Sequence, residues 1–108
     1  VPYLMELFRP TSVIDVGCGS GHWLDAFHAL GVERLVGLDI GQVPEADPSV
    51  FNGWLQRADL ACPLTVNERF DLALSLETLQ YLPQAREEGF IKDLAALAPV
   101  VVFSSAIP

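Results

Sequence analysis

The sequence predicts an α/β domain built on a mostly parallel sheet with helices on both faces. Three observations carry this expectation. The strand candidates, such as Ser12 to Val16, Arg34 to Leu38 and Val100 to Phe103, read as continuous apolar runs rather than alternating ones. That is the pattern of strands buried on both faces. These runs alternate with segments of helical periodicity, and parallel strands need such crossovers to return the chain. Finally, the chain has 108 residues, 51% of them hydrophobic, which is enough for one domain with its own core and too apolar for a disordered segment.

Taken in order, Pro2 to Phe8 (PYLMELF) is a short apolar helix opened by a proline, and Arg9-Pro10-Thr11 breaks it. Ser12 to Val16 is the first strand. Residues 22 to 30 carry Trp23, Leu24, Ala26, Phe27 and Leu30 at helical spacing, and Gly31 is a natural stop. Arg34 to Leu38 is the second strand, followed by Asp39. Residues 41 to 53 hold Gly41, Pro44, Pro48 and Asn52-Gly53, and read as loop. Trp54 to Ala58 is the third strand, Pro63 to Arg69 a connection and Phe70 to Leu76 the fourth strand. Gln84 to Ala98 is an amphipathic helix with Phe90, Ile91, Leu94, Ala95 and Leu97 on its apolar positions. Pro99 ends it, and Val100 to Phe103 is the fifth strand.

Charge and cysteine content narrow the function classes. Fourteen acidic residues face six basic ones, for a formal net charge of -8. Such a chain repels phosphate backbones, so nucleic acid is not an expected partner. No apolar run approaches the ~20 residues that span a bilayer, so no membrane is expected either. Cys18 and Cys62 stand alone, without C-x-x-C spacing. They suggest neither a disulfide framework nor a metal site, and fit a reducing cytoplasmic setting.

The chemistry gathers where strands end. Val16 runs into Gly17-Cys18-Gly19-Ser20-Gly21, and a helix follows. Glycines at every second position bring bare backbone close to a ligand, and the helix start adds unpaired N–H groups. Ligands of open parallel sheets bind beyond the carboxyl ends of the strands. The sequence places Gly17 to Gly21, Asp39, Asp59, Leu76 and Glu77 there. A nicotinamide-dinucleotide site would show G-x-G-x-x-G, but the third glycine position is His22. A nucleotide-triphosphate loop, G-x-x-x-x-G-K-[ST], is absent.

Four segments in register carry a resemblance. Val13 to Gly21 (VIDVGCGSG), Leu35 to Asp39 (LVGLD), Ala58-Asp59-Leu60 and Phe70 to Pro83 (FDLALSLETLQYLP) together resemble the motifs of class I S-adenosylmethionine-dependent methyltransferases. The resemblance implies a Rossmann-like, doubly wound sheet of strand order 3-2-1-4-5. It also implies S-adenosylmethionine as cofactor and methyl transfer to a small-molecule nucleophile. The cofactor-binding residues it implies are Asp15, Gly17, Cys18, Gly19, Gly21, Asp39, Ile40, Asp59, Leu60, Leu76 and Glu77.

Asp39 has two acceptor oxygens for the two ribose hydroxyls. Asp59 matches the acid that contacts the adenine amino group, and Leu60 offers the N–H that contacts the ring. Asp15 lies in an apolar strand, where a carboxylate is costly unless bonded. It either orients the glycine turn and reaches the ligand ammonium through water, or is a purely structural acid bonding loop amides. Glu77 either meets the methionine part or caps a following helix. His22 more often contributes only backbone at such a position, His28 is no candidate, and no catalytic residue or metal ligand is assigned.

Two departures from the family pattern matter. Gln80 and Tyr81 stand where many relatives have acid and histidine, which argues against histidine-assisted proton transfer; Tyr81 either packs over the site or contacts substrate. The family fold has seven strands and this sequence reaches the fifth. The expectation is therefore one domain over residues 1–108, incomplete at its C-terminus, whose apolar fifth strand is an edge for self-association. A non-catalytic cofactor-binding or interaction module is the alternative function, and a nicotinamide-dependent oxidoreductase the weaker one.

Overall fold

The computed structural model describes residues 2–18, 21–39 and 55–105. The expected loop at 41 to 53, Gly19, Ile40 and Trp54 lie outside the described residues. The elements are α1 (Pro2–Phe8), β1 (Ser12–Val16), α2 (His22–Ala29), β2 (Arg34–Asp39), β3 (Leu55–Arg57), β4 (Leu72–Leu76), α3 (Glu87–Leu97) and β5 (Val100–Ser104). The strands form one sheet in the order β3-β2-β1-β4-β5, and every pairing is parallel. The predicted fold class and strand order both stand.

Central position explains composition. All five residues of β1 are buried, because the strand has a neighbour on each side and helices over each face. Val13 points into a layer with Leu24, Phe27, Leu35, Leu72 and Leu74. Ile14 and Val16 point the other way, into a layer with Leu38, Ala73, Phe90, Leu94 and Leu97. α2 thus covers one face and α3 the other. Gly37 lets α2 approach closely. A Cβ there would stand 2.7 Å from Cys18 Sγ and from Leu24 Cδ1, and 2.8 Å from Leu55 Cδ2.

The element bounds shift where backbone groups find other partners. β4 begins at Leu72, not at Phe70. The N–H of Phe70 goes to the Leu97 carbonyl at 2.7 Å, and that of Asp71 goes to Ser12 Oγ at 2.9 Å, so neither joins the ladder. The helix expected over Gln84 to Ala98 is a 3-10 turn at Gln84–Arg86 followed by α3. Ala98 is extended at φ −156°, as a residue before proline prefers. A further 3-10 turn at Leu79–Tyr81 had no periodic signal to announce it.

The amino edge of the sheet is fastened by side chains. Asp71 Oδ2 accepts from both the N–H and the hydroxyl of Thr11, each at 2.8 Å. These donors hold the Asp71 carboxyl below the usual carboxylate range. Arg34 donates to the Arg69 carbonyl at 2.9 Å, pairs with Glu68 and lies 4.5 Å from the Phe70 ring centroid. Among the described residues, no helix is long and apolar enough to cross a membrane.

Candidate functional site

Parallel pairing sends all five strand ends to one edge, and a cavity of about 440 Å³ lies there. That volume is within the ~300–1,000 Å³ of small-molecule sites. Gly17, Asp39, Asp59, Leu60, Leu76 and Glu77 line it together with Ala61, Thr78, Tyr81, Leu82 and Pro83. Six of the predicted binding residues therefore converge from four separate strand ends. Asp15, Cys18 and Gly21 are buried beneath or beside the cavity rather than lining it.

The glycine turn is built by its bonds to β2. The N–H groups of Gly17 and Cys18 both donate to the Leu38 carbonyl, at 2.7 and 3.1 Å. Gly17 has φ +87°, a left-handed backbone that favours glycine. A Cβ on Gly17 would fall 2.1 Å from Thr78 Oγ1, so the turns after β1 and β4 touch and close the floor of the cavity. Gly21, also at φ +87°, starts α2 and accepts from the Asp25 N–H at 2.9 Å. Sequence reasoning missed Thr78, because only the register of β1 against β4 brings it over Gly17.

The acids differ in their surroundings. Asp15 is 2% exposed, and its Oδ2 meets no hydrogen-bond donor among the described residues. Burial, with Asp39 adding repulsion, pushes its carboxyl up to about 7. Burial, with Asp15 and Asp39 nearby, pushes the Cys18 thiol up to about 12, so Cys18 stays a neutral thiol and packs against Gly37. Asp39 is the last residue of β2, in register with Arg57. Asp59 is exposed and caps its own turn: Oδ1 accepts the Ala61 N–H at 3.0 Å. A carboxylate has acceptor sites left after one such bond.

Glu77 is not a helix cap; Thr78 holds that position for the 3-10 turn. Instead Glu77 sits at φ 57°. Its N–H donates to the Ser104 carbonyl at 2.9 Å and to Ser104 Oγ at 3.2 Å, which holds it there. A non-glycine residue in that region costs ~1–2 kcal/mol. Glu77→Gly is therefore expected to stabilise the fold by ~0.5–1 kcal/mol in urea denaturation, after glycine's own entropy cost. An unchanged or lowered midpoint would show that the strain is absent. Tyr81 is 82% exposed at the cavity wall.

These residues fit a nucleoside with a cationic tail. Asp39 places a carboxylate at a strand end, and Asp15 holds under the turn an oxygen that meets no donor among the described residues. Among the described residues, no group of His, Cys, Asp and Glu could hold a metal ion.

Comparison with known proteins agrees. The chain matches the methyltransferase domain family over residues 1–106. It is 37% identical over 107 residues to the ribosomal protein L11 methyltransferase of Vibrio parahaemolyticus, covering 90% of this chain and 30% of that protein. It thus spans under a third of the curated relatives it matches. CalS10, an amino pentose methyltransferase from Micromonospora echinaspora solved with SAM bound, superposes with a TM-score of 0.81. The identity is 21%, and the match covers 98% of this chain and 49% of that one. An S-adenosylmethionine dependent methyltransferase from Mesorhizobium loti gives a TM-score of 0.65 at 27% identity, covering 96% of this chain and 52% of its own. With four motifs in family order, a parallel sheet of order 3-2-1-4-5 and a match over residues 1–106, the chain belongs to the methyltransferase domain family.

Proposed function

We propose that this domain binds S-adenosylmethionine in the cavity at the carboxyl edge and serves methyl transfer to a small-molecule nucleophile. The observation that carries the reading is the convergence of Gly17, Asp39, Asp59, Leu60, Leu76 and Glu77 on one cavity. The bound cofactor supplies a methyl group on a sulfonium, which is already an activated leaving group. What falls to the chain is binding and alignment. Asp39, with Ile40 beside it, accepts from the ribose hydroxyls. Asp59 and Leu60 meet the adenine. Gly17, Cys18, Gly19 and Gly21 give the backbone room to approach, and Asp15 beneath them supplies negative charge toward the ligand ammonium. Leu76 and Glu77 flank the methionine part. Proton abstraction has no histidine assigned to it, so rate comes from holding the nucleophile in line, a share of the ~7–11 kcal/mol that alignment offers.

Calorimetric titration with S-adenosylhomocysteine and with NAD tests the reading. The expected result is binding of the first and none of the second. Asp39→Ala should weaken S-adenosylhomocysteine by at least ~10–100-fold, because even one hydrogen bond to a charged acceptor is worth ~1.5–3 kcal/mol. NAD binding without S-adenosylhomocysteine binding would return the oxidoreductase. Binding without turnover in the full-length protein would leave a non-catalytic module. A second reading, a protein acceptor, is favoured by the 37% identity to a ribosomal protein L11 methyltransferase. Labelled methyl recovered in precipitable protein rather than in the low-mass fraction would decide for it.

A further inference from the structure

The turn that carries Asp59 and Leu60 has an anchor outside the cavity. Arg86, at the end of the 3-10 turn before α3, is only 8% exposed. Its Nε donates to the Leu60 carbonyl at 3.0 Å, and its Nη2 donates to Asp93 Oδ2 at 2.6 Å. The same Asp93 oxygen accepts the Leu64 N–H at 3.1 Å. The guanidinium carbon lies 5.5 Å from the Phe90 ring centroid. Space for the group comes from Gly89, where a Cβ would stand 2.8 Å from Nη1. One half-buried charge pair thus holds residues 60 and 64 of a connection that has no ladder bonds of its own.

Stability does not explain this arrangement well. A glycine in a helix interior lowers helix stability. Buried ion pairs are often no better than apolar residues of the same volume. Geometry explains it better. The Asp59 turn is tied within itself, by the Ala61 N–H to Asp59 Oδ1 at 3.0 Å and the Cys62 N–H to the Asp59 carbonyl at 3.1 Å. Among the described residues, two outside bonds contribute to its placement on the sheet. The Ala58 N–H donates to the Asp39 carbonyl at 3.0 Å, and Arg86 holds Leu60.

We propose that Arg86 is a positioning residue for adenine recognition, acting through the Leu60 carbonyl to hold the Asp59 turn at the cavity wall. The proposal rests on the cofactor reading given above. A guanidinium presents several donors in a rigid fork, so it bonds carbonyl and carboxylate at once; a lysine ammonium on a flexible stem does not reproduce that plane. Arg86→Lys keeps the charge beside Asp93 and gives up the fork.

The test compares two ligands in the full chain: S-adenosylhomocysteine, and its inosine counterpart, in which a carbonyl oxygen replaces the adenine amino group. Wild type should prefer the adenine ligand by ~10-fold, the worth of one charge-assisted hydrogen bond. Arg86→Lys should lose most of that preference while the inosine ligand's affinity moves less than ~2-fold, since the carbonyl oxygen that replaces the amino group cannot donate to Asp59. Gly89→Ala keeps Arg86 but crowds its Nη1, and should show the same selective loss without a lower melting temperature. Equal loss for both ligands, or an intact preference in the two variants, overturns the positioning role. If wild type binds both ligands equally, the cofactor reading stands and this proposal falls. If wild type binds neither, the cofactor reading falls first.

Discussion

Gly17→Ala is expected to cost ~2–5 kcal/mol of unfolding free energy, and to empty the cavity of ligand in whatever folded fraction remains. Two independent effects add. The left-handed φ of +87° is unfavourable for any residue with a Cβ. The new methyl group also collides with Thr78, at 2.1 Å from Oγ1, 2.7 Å from Cγ2 and 2.9 Å from Cβ. Turning the Thr78 side chain moves the first two atoms but not the third, so the backbone after β4 must retreat. That retreat parts the two turns that form the cavity floor. Urea denaturation measures the cost, and Thr78→Gly in the Gly17→Ala background separates its parts. Coupling between the two substitutions should recover ~1–3 kcal/mol, the overpacking share, while the φ share remains. Strict additivity would mean that Thr78 yields freely and that the floor is not rigid.

Asp15→Asn should do the opposite and stabilise the protein in alkaline solution. The Asp15 carboxyl is raised from 3.8 to about 7 in the folded chain. Between those values the folded state holds a proton that the unfolded state has lost, so stability falls as pH rises through the window. Below the lower value both states are protonated and the penalty vanishes; above about 7 it is complete. At ~1.4 kcal/mol per unit the full penalty is at most ~4 kcal/mol. An asparagine does not titrate. The difference between variant and wild type should therefore be near zero at low pH and grow to ~2–4 kcal/mol by mildly alkaline pH. Asp71, held low by Thr11, tilts stability the other way in acid, which is why the difference rather than either curve is the measure. The same substitution should weaken a ligand carrying an ammonium group, because the ionised carboxylate attracts it. A flat difference across pH would mean that Asp15 is bonded and ionised throughout.

Much of this was legible in the residues. Apolar runs located β1, β2, β4 and β5, and the bounds of α1 and β1 came out as read, because Pro2, Pro10 and Gly17 punctuate the chain there. The acids at Asp39 and Asp59 were legible because the first ends β2 and the second closely follows β3, and in a parallel sheet strand ends share an edge. Interactions distant in sequence were not legible. Nothing local says that the Phe70 N–H turns to Leu97 and the Asp71 N–H to Ser12, which starts β4 two residues late. Thr78 gave no sign that it fills the notch over Gly17, nor Arg86 that it reaches back to Leu60. Of the two roles open to Glu77, the helix cap failed for the same reason: Ser104, from the far side of β4, decides its backbone.

The side-chain fastening of the amino edge has a consequence for how this fold tolerates change. Thr11, Ser12, Arg34 and Asp71 tie strands together at the end away from the cavity. Substitutions there should lower amide protection across the sheet and leave ligand preference alone. At the opposite edge, strain at Glu77 and an oxygen on Asp15 that meets no donor among the described residues mean that substitutions can raise stability while harming recognition. A deep mutational map should accordingly separate into two nearly independent sets. New ligand preferences could then be explored at one end of the barrel-less sheet while the other end keeps the chain folded.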